Sequence, residues 1–584
     1  MIWLVFSGVW AARPVASAAP ELRTLAEQSG WLRTGRYEEV ERLCDAFQKT
    51  WPKQVRCFEL GRSPEGRRML GLVASADGLL EPAAARAAGR PVVLMQGGIH
   101  AGEIDGKDAG FLALRELLEG RAAKQVLSQL TLVFVPVFNV DGHERFGRWN
   151  RPNQVGPEQM GWRTTAQNLN LNRDYVKAEA PEMQAMLRLL NAWDPIVYAD
   201  LHVTDGAQFQ HDISINVAPT LAGDAELVRA GSALRDHLMR RLREQGSLPL
   251  DFYPAFARED DPSSGVAVNV PSARFSQQYW AQRNRLGLLV ETHSWKDYAT
   301  RVHITRNTII GLLEAAALHG KPWAAVAAAA DQHAAQLAGS AVPLRYENTE
   351  HRVDIDFKGY VYTREPSAIS GALVTRYDEK KPQVWRIPLA DQVKPALSAH
   401  APRGGYIVPA AHADWVLAKL ALHGIEARRL NRLPALPVRV FRASKVNVRP
   451  ATYEGRSVVS VEGAWAQESR DVPAGSLFVP IAQPHAVLAM TLFEPQGDDS
   501  LVSNGFFSSA FERKEYIEPY VAEQVAIELL KKDPALKREF TRKLESEPAF
   551  AQSPSARLDF FYQKHASWDE AFNLYPVYQV DKQP

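Results

Sequence analysis

From Tyr37 to about Leu318, short apolar runs alternate with amphipathic segments, and each run ends in polar, chemically capable residues. This alternation is the pattern of strands and helices in an α/β sheet. Val92 to Gln96 is expected to be a buried strand, followed by a Gly97-Gly98 turn and a helix on which Phe111, Leu114 and Leu118 recur at helical spacing. Leu132 to Phe138, Ile196 to Asp200 and Leu286 to Val290 are expected as further strands. Ligands of open α/β sheets bind outside the carboxyl ends of the strands, so an active site is expected where these ends gather.

The chain has 584 residues, enough for two or three domains. An Ala-rich stretch, Trp323 to Ala338, is expected as a helix leading out of the first domain. Beyond it, Val353, Ile355 and Phe357 alternate with charged residues, and Val438, Val440, Val458 and Val461 lie in short runs broken by Pro and Gly, which reads as a β-rich accessory region. Helical pieces are expected at Trp415 to Leu422 and Tyr516 to Lys531, with an irregular aromatic tail from Ser553 to Pro584. The expected division is a signal segment at 1–18, a catalytic domain at 30–322, a helical linker at 323–345 and the accessory region at 346–584.

Lys plus Arg nearly balances Asp plus Glu, for a formal net charge of +1, so no global field draws the chain to nucleic acid or anionic lipid. The apolar run Ile2 to Trp10 followed by Ala16-Ser17-Ala18 fits a secretory signal cleaved after Ala18, although no Lys or Arg precedes it. The run is too short to span a bilayer, so no transmembrane anchor is expected and the protein is read as exported, periplasmic or extracellular. Cys44 and Cys57, the only two cysteines, lie close enough in sequence to meet across a short loop as a disulfide in an oxidising compartment; two buried thiols are the alternative.

His100 and Glu103 stand three residues apart on the turn after the strand at Val92, a spacing that lets imidazole and carboxylate reach one cation. Catalytic zinc sites use three His or Glu ligands and keep a fourth position for water, so a second, remote His is required. His202, at the end of another expected strand, supplies it.

With these residues the chain resembles the carboxypeptidase A-like family of zinc peptidases over roughly Tyr37 to Leu318. The family's His-x-x-Glu matches His100 and Glu103, its Asn-x-Asp-Gly turn matches Asn139 to Gly142, and its strand-end His matches His202. Its Arg matches Arg163, its Asn-Arg pair matches Asn172-Arg173, and its catalytic base matches Glu291. The resemblance implies an α/β/α sandwich with a mixed, mainly parallel sheet and one zinc ion per chain. The catalytic domain with its β-rich tail resembles a long bacterial branch of the family.

In the implied roles, Glu291 is the general base, Arg163 holds the oxyanion, and Asn172 and Arg173 grip a terminal carboxylate, which a guanidinium fork matches bidentately. Tyr279 is the candidate for the family's capping tyrosine, with Tyr298 as competitor. Where the family has an Asp orienting the first metal His, this chain has Asn170, which accepts the imidazole N–H without a carboxylate's charge.

The expected function is zinc-dependent hydrolysis of the C-terminal bond of a peptide or peptide-like substrate bearing a free carboxylate. A zinc amidase or deacylase acting on cell-wall peptides or N-acyl amino acids would use the same metal ligands and base. A binding module of the same fold without turnover would have no need for Glu291. Asp105 and Asp108 are read as acids favouring a helix start, and the charged stretch Asp251 to Asp261 as a solvated loop.

Overall fold

The strand at Val92 is buried along its whole length, as a central strand covered on both faces must be. It belongs to the first of two compact units in a computed structural model that describes residues 20–584. The expected signal segment at 1–18 lies outside the described residues.

The first unit comprises the chain up to Ala401 together with Ala418–Glu426 and Ile481–Leu492. Its strands are β1 (Val55–Arg62), β2 (Arg68–Ala74), β3 (Val92–Gly97), β4 (Thr131–Val135), β5 (Val197–Thr204), β6 (Ile213–Ala218), β7 (Pro249–Leu250), β8 (Val266–Ala267) and β9 (Leu286–His293). Among the described residues these build an eight-stranded mixed sheet in the order β1-β2-β4-β3-β5-β9-β6-β7, with β8 outside it. The centre is parallel, β4 to β3 to β5 to β9, and β6 runs antiparallel to β9. This is the α/β fold with a mixed sheet that the sequence predicts.

Two glycines make the turn after β3. A Cβ on Gly97 would lie 2.8 Å from the Pro136 carbonyl oxygen, and Gly98 has φ of +62°, a left-handed conformation that favours glycine. The helix Asp105–Leu118 follows. Asp105 and Asp108 stand in its first turn, as expected of helix-start acids, and both also have side-chain partners. Asp105 is buried, 2.9 Å from the Arg301 guanidinium and from the Thr292 hydroxyl. Asp108 is buried as well, accepting from Thr34 and Tyr298. Cys44 and Cys57 are joined as a disulfide with Cα atoms 5.4 Å apart, tying the helix Tyr37–Thr50 to β1.

The Ala-rich stretch is the second half of one continuous helix, Tyr298–Ala334. The boundaries expected at 322/323 and 345/346 both fall inside the first unit. After the helix come β10 (Ala341–Asn348), β11 (Val353–Pro366), β12 (Leu373–Ala390) and β13 (Val393–His400). Strands β11 and β12 form a long antiparallel ribbon whose Phe357 and Trp385 pack with Phe209, Phe252 and Val266, so the ribbon is rooted in the core of this unit.

The second unit carries a six-stranded sheet made of β14 (Gly405–Val408), β15 (Arg428–Arg429), β16 (Leu433–Tyr453), β17 (Arg456–Val472), β18 (Leu477–Pro480) and β19 (Tyr578–Val580). Ile407, Val438, Val440 and Phe478 form its core. The tail from Ser553 is more regular than expected: it contains the helix Pro554–Tyr562 and ends in β19, which pairs with both β14 and β16. Pairing satisfies the backbone groups that an irregular tail would leave to water.

Candidate active site

Parallel pairing brings the carboxyl ends of β3, β5 and β9 to one level. In the register Gln96 faces Asp200, Gly97 faces Leu201 and His202 faces Glu291. His100 and Glu103 lie on the turn just past β3, and the Glu103 N–H donates to the His100 carbonyl at 2.9 Å.

The two imidazoles approach one carboxylate from two sides. His100 Nδ1 lies 3.0 Å from Glu103 Oε1, and His202 Nδ1 lies 2.9 Å from Glu103 Oε2. The far nitrogens are engaged too: His100 Nε2 is 3.0 Å from Asn170 Oδ1, and His202 Nε2 is 2.8 Å from Asp200 Oδ2. Ligand atoms of His100, Glu103 and His202 all lie within 4.8 Å of one another, and the three residues are buried. The donor set fits zinc: two imidazole Nδ1 atoms and a carboxylate converge, with Asn170 behind one ring and Asp200 behind the other.

Burial and the carboxylates Glu103, Asp200 and Glu291 dominate the electrostatics of the cluster. Burial penalises the Glu103 carboxylate, but His100 and Arg151 outweigh it and hold its pKa well below the usual range. Burial pushes His100 down to about 4. For His202 burial is overcome by Asp200 and Glu291, which hold the ring well above its ordinary value. Glu291 is raised to about 8 by burial, with His202 opposing and Glu103 and Asp200 adding to the rise. A cation in the neighbouring donor set lowers it again.

Arg163 is partly exposed, its Nη1 3.3 Å from Glu103 Oε1. The Asn-x-Asp-Gly turn helps to hold it there: Asn139 Oδ1 accepts from the Gly142 N–H at 3.0 Å, and Asn139 Nδ2 donates to the Arg163 carbonyl at 3.2 Å. Asn172 and Arg173 lie on a short 3-10 turn, Leu171–Arg173, and the Arg173 guanidinium sits 4.5 Å above the Phe275 ring. His100, Glu103, His202, Arg163, Asn172, Arg173 and Glu291 all line one cavity of about 380 Å³.

Tyr279 does not line it. The residue lies on the buried face of the helix Ser276–Ala281, and its hydroxyl is 3.0 Å from His423 Nδ1. Tyr298 is equally buried, bonded to Asp108. The tyrosine that reaches the cavity is Tyr253, from an irregular segment with no periodicity to betray it; its hydroxyl is 3.1 Å from Thr204 Oγ1. Arg151 is a second residue without a sequence signal: it is buried, and its Nη2 is 2.9 Å from Glu103 Oε1. Asp251 lines the cavity, whereas Asp261 is held by Arg258 and Arg364 at 2.7 and 3.1 Å. His143 is buried, its Nε2 3.2 Å from the Gly35 carbonyl.

Residues 40–215 match the zinc carboxypeptidase family model, a span that contains all three clustered ligands. The match ends before Glu291. Carboxypeptidase D of Drosophila melanogaster is 30% identical over 184 residues, which are 30% of this chain and 12% of that protein. The chain thus spans about an eighth of that relative's length. Among solved structures, a metallo-carboxypeptidase from Burkholderia cenocepacia aligns with a TM-score of 0.36 at 18% identity, covering 49% of this chain and 69% of its own. Carboxypeptidase A from Helicoverpa armigera aligns with a TM-score of 0.34 at 18% identity, covering 50% and 74%. No helix among the described residues is long and apolar enough to cross a membrane.

Proposed function

We propose that the chain is an exported zinc carboxypeptidase that hydrolyses the C-terminal bond of a peptide or peptide-like substrate with a free carboxylate. One observation carries this reading: ligand atoms of His100, Glu103 and His202 lie within 4.8 Å of one another, and Glu291 stands opposite His202 on the neighbouring strand.

His100, Glu103 and His202 would hold the zinc ion, which would supply a Lewis acid and lower the pKa of the attacking water toward neutrality. Glu291 takes the proton from the attacking water and returns it to the leaving amine. Arg163 stabilises the oxyanion of the scissile carbonyl. Asn172 and Arg173 bind the terminal carboxylate, with Phe275 beneath the guanidinium keeping the fork oriented. The Cys44–Cys57 disulfide supports an oxidising compartment.

The test is zinc stoichiometry together with hydrolysis of a panel of N-blocked dipeptides, with Glu291→Gln as control. Turnover that requires zinc and Glu291 is expected. Cleavage of muropeptides or N-acyl amino acids alone would replace the peptidase with an amidase. Zinc binding without turnover on any of these would leave a binding module.

A further inference from the structure

Residues Ala418–Glu426, far along the chain from the sheet, belong to the first unit, and among them His423 is fully buried. Its Nδ1 lies 3.0 Å from the Tyr279 hydroxyl and its Nε2 3.0 Å from the Val176 carbonyl oxygen. A carbonyl can only accept, so Nε2–H donates to Val176 and Nδ1 accepts from the tyrosine. Burial, aided by Lys419 and Arg283, holds the ring's pKa down at about 3, which keeps this tautomer neutral.

The two partners belong to different segments behind the cavity, and neither lines it. Val176 follows Arg173 by three residues, and the Lys419 ammonium donates to the carbonyl of the adjacent Lys177. Tyr279 is on the helix Ser276–Ala281; the N–H of Ser276 donates to Asn172 Oδ1 at 3.3 Å, and the preceding Phe275 lies under Arg173. The Tyr175 and Tyr279 rings pack with centroids 5.4 Å apart. Asn191 Nδ2 donates to the Leu422 carbonyl at 2.9 Å, fixing the segment that presents the histidine. One imidazole therefore bridges the segment bearing Asn172 and Arg173 and the segment bearing Phe275, in addition to these direct contacts.

We propose that His423, through Tyr279 and Val176, is a positioning residue for the carboxylate-binding pair, so that residues 418–426 complete the substrate site without touching substrate. The inference rests on the reading of Asn172 and Arg173 as that pair. A carboxylate grip made equally in the ground and transition states contributes uniform binding, so loosening it raises KM and leaves kcat little changed.

The experiment uses the full chain and four variants: Tyr279→Phe, His423→Ala, His423→Gln and Arg173→Ala. The readouts are zinc content, kcat and KM on the best N-blocked dipeptide, and Ki for propanoate as a competitive monocarboxylate. Tyr279→Phe and His423→Ala are expected to raise KM and Ki about three- to tenfold, the worth of one buried hydrogen bond, with kcat and zinc content little changed. His423→Gln, which keeps a donor and an acceptor, is expected to stay near wild type. Should His423→Ala fail to fold, Tyr279→Phe still decides, because it deletes one oxygen and keeps the ring. The inference is overturned if Arg173→Ala raises Ki while Tyr279→Phe leaves it unchanged, or if kcat falls and KM does not move. An unchanged Ki in Arg173→Ala overturns the carboxylate reading and the inference together.

Discussion

Exchanging Asn170 for aspartate is expected to tighten zinc binding. Asn170 Oδ1 accepts from His100 Nε2–H at 3.0 Å and from the Asn172 N–H at 3.0 Å, and the residue is buried. A carboxylate oxygen can occupy the same position, so the two donors need not move. A hydrogen bond to a charged acceptor contributes about 1.5–3 kcal/mol against about 1 kcal/mol for a neutral one, so the His100 bond gains roughly 1 kcal/mol. Burying the new charge takes back part of that gain. The net effect is a zinc Kd up to about fivefold lower. Asn170→Leu works in the other direction, removing the acceptor from two buried N–H groups and weakening zinc binding by about 10–100-fold. Competition against a chelator of known affinity at fixed pH measures both. If the aspartate variant binds zinc no tighter and the leucine variant no more weakly, residue 170 does not set the basicity of His100 and the reasoning fails.

Glu291→Gln is expected to keep full zinc content while kcat falls about 10²–10⁴-fold; loss of zinc with activity would make the residue structural instead. Lys107 is fully buried, with its ammonium 2.6 Å from Glu39 and 3.4 Å from Asp108. Lys107→Met strands those carboxyls and is expected to cost about 3–5 kcal/mol in denaturant unfolding, with partial recovery in the double variant with Glu39→Gln; equal stability would refute the pairing. His423, at about 3 in the folded state against an ordinary 6.5, stays neutral when acid protonates it in the unfolded chain. Its contribution is complete above about pH 6.5 and is lost as pH falls toward the folded value, so unfolding midpoints should drop on acidification less steeply in His423→Gln; parallel curves would contradict this. Replacing Cys44 and Cys57 by serine is expected to lower stability by about 2–3 kcal/mol, and an unchanged midpoint would show that the closed loop contributes nothing.

The sheet is legible because its strands are buried on both faces. Val92 to Met95 and Leu286 to Val290 carry no polar side chain, and each lies within a strand. The metal-ligand cluster is legible because strand ends and the His100-to-Glu103 spacing are local features. What fails is whatever depends on the partner of a side chain. Asp105 and Asp108 have the sequence position of helix-start acids, but their partners Arg301 and Tyr298 lie almost 200 residues further on. Tyr279 has a plausible place before Glu291, but the helix carrying it turns that face into the core. Tyr253 and Arg151 sit in segments without periodicity, where no rule assigns a direction to the side chain.

Register explains why such distant residues meet at all. Strand side chains alternate between faces, so sliding β9 by one residue against β5 would replace Glu291 with a neighbour that points the other way. Thr292 illustrates this: its hydroxyl reaches Asp105 on the helix Asp105–Leu118, not the cavity. The buried apolar residues Leu288 and Val290 on β9 and Ala199 and Leu201 on β5 resist that slip, because it would turn them toward the polar side. The position of the Glu291 carboxylate beside His202 is therefore set by hydrophobic packing several residues away, and a substitution that loosens that packing should act on the site without touching it.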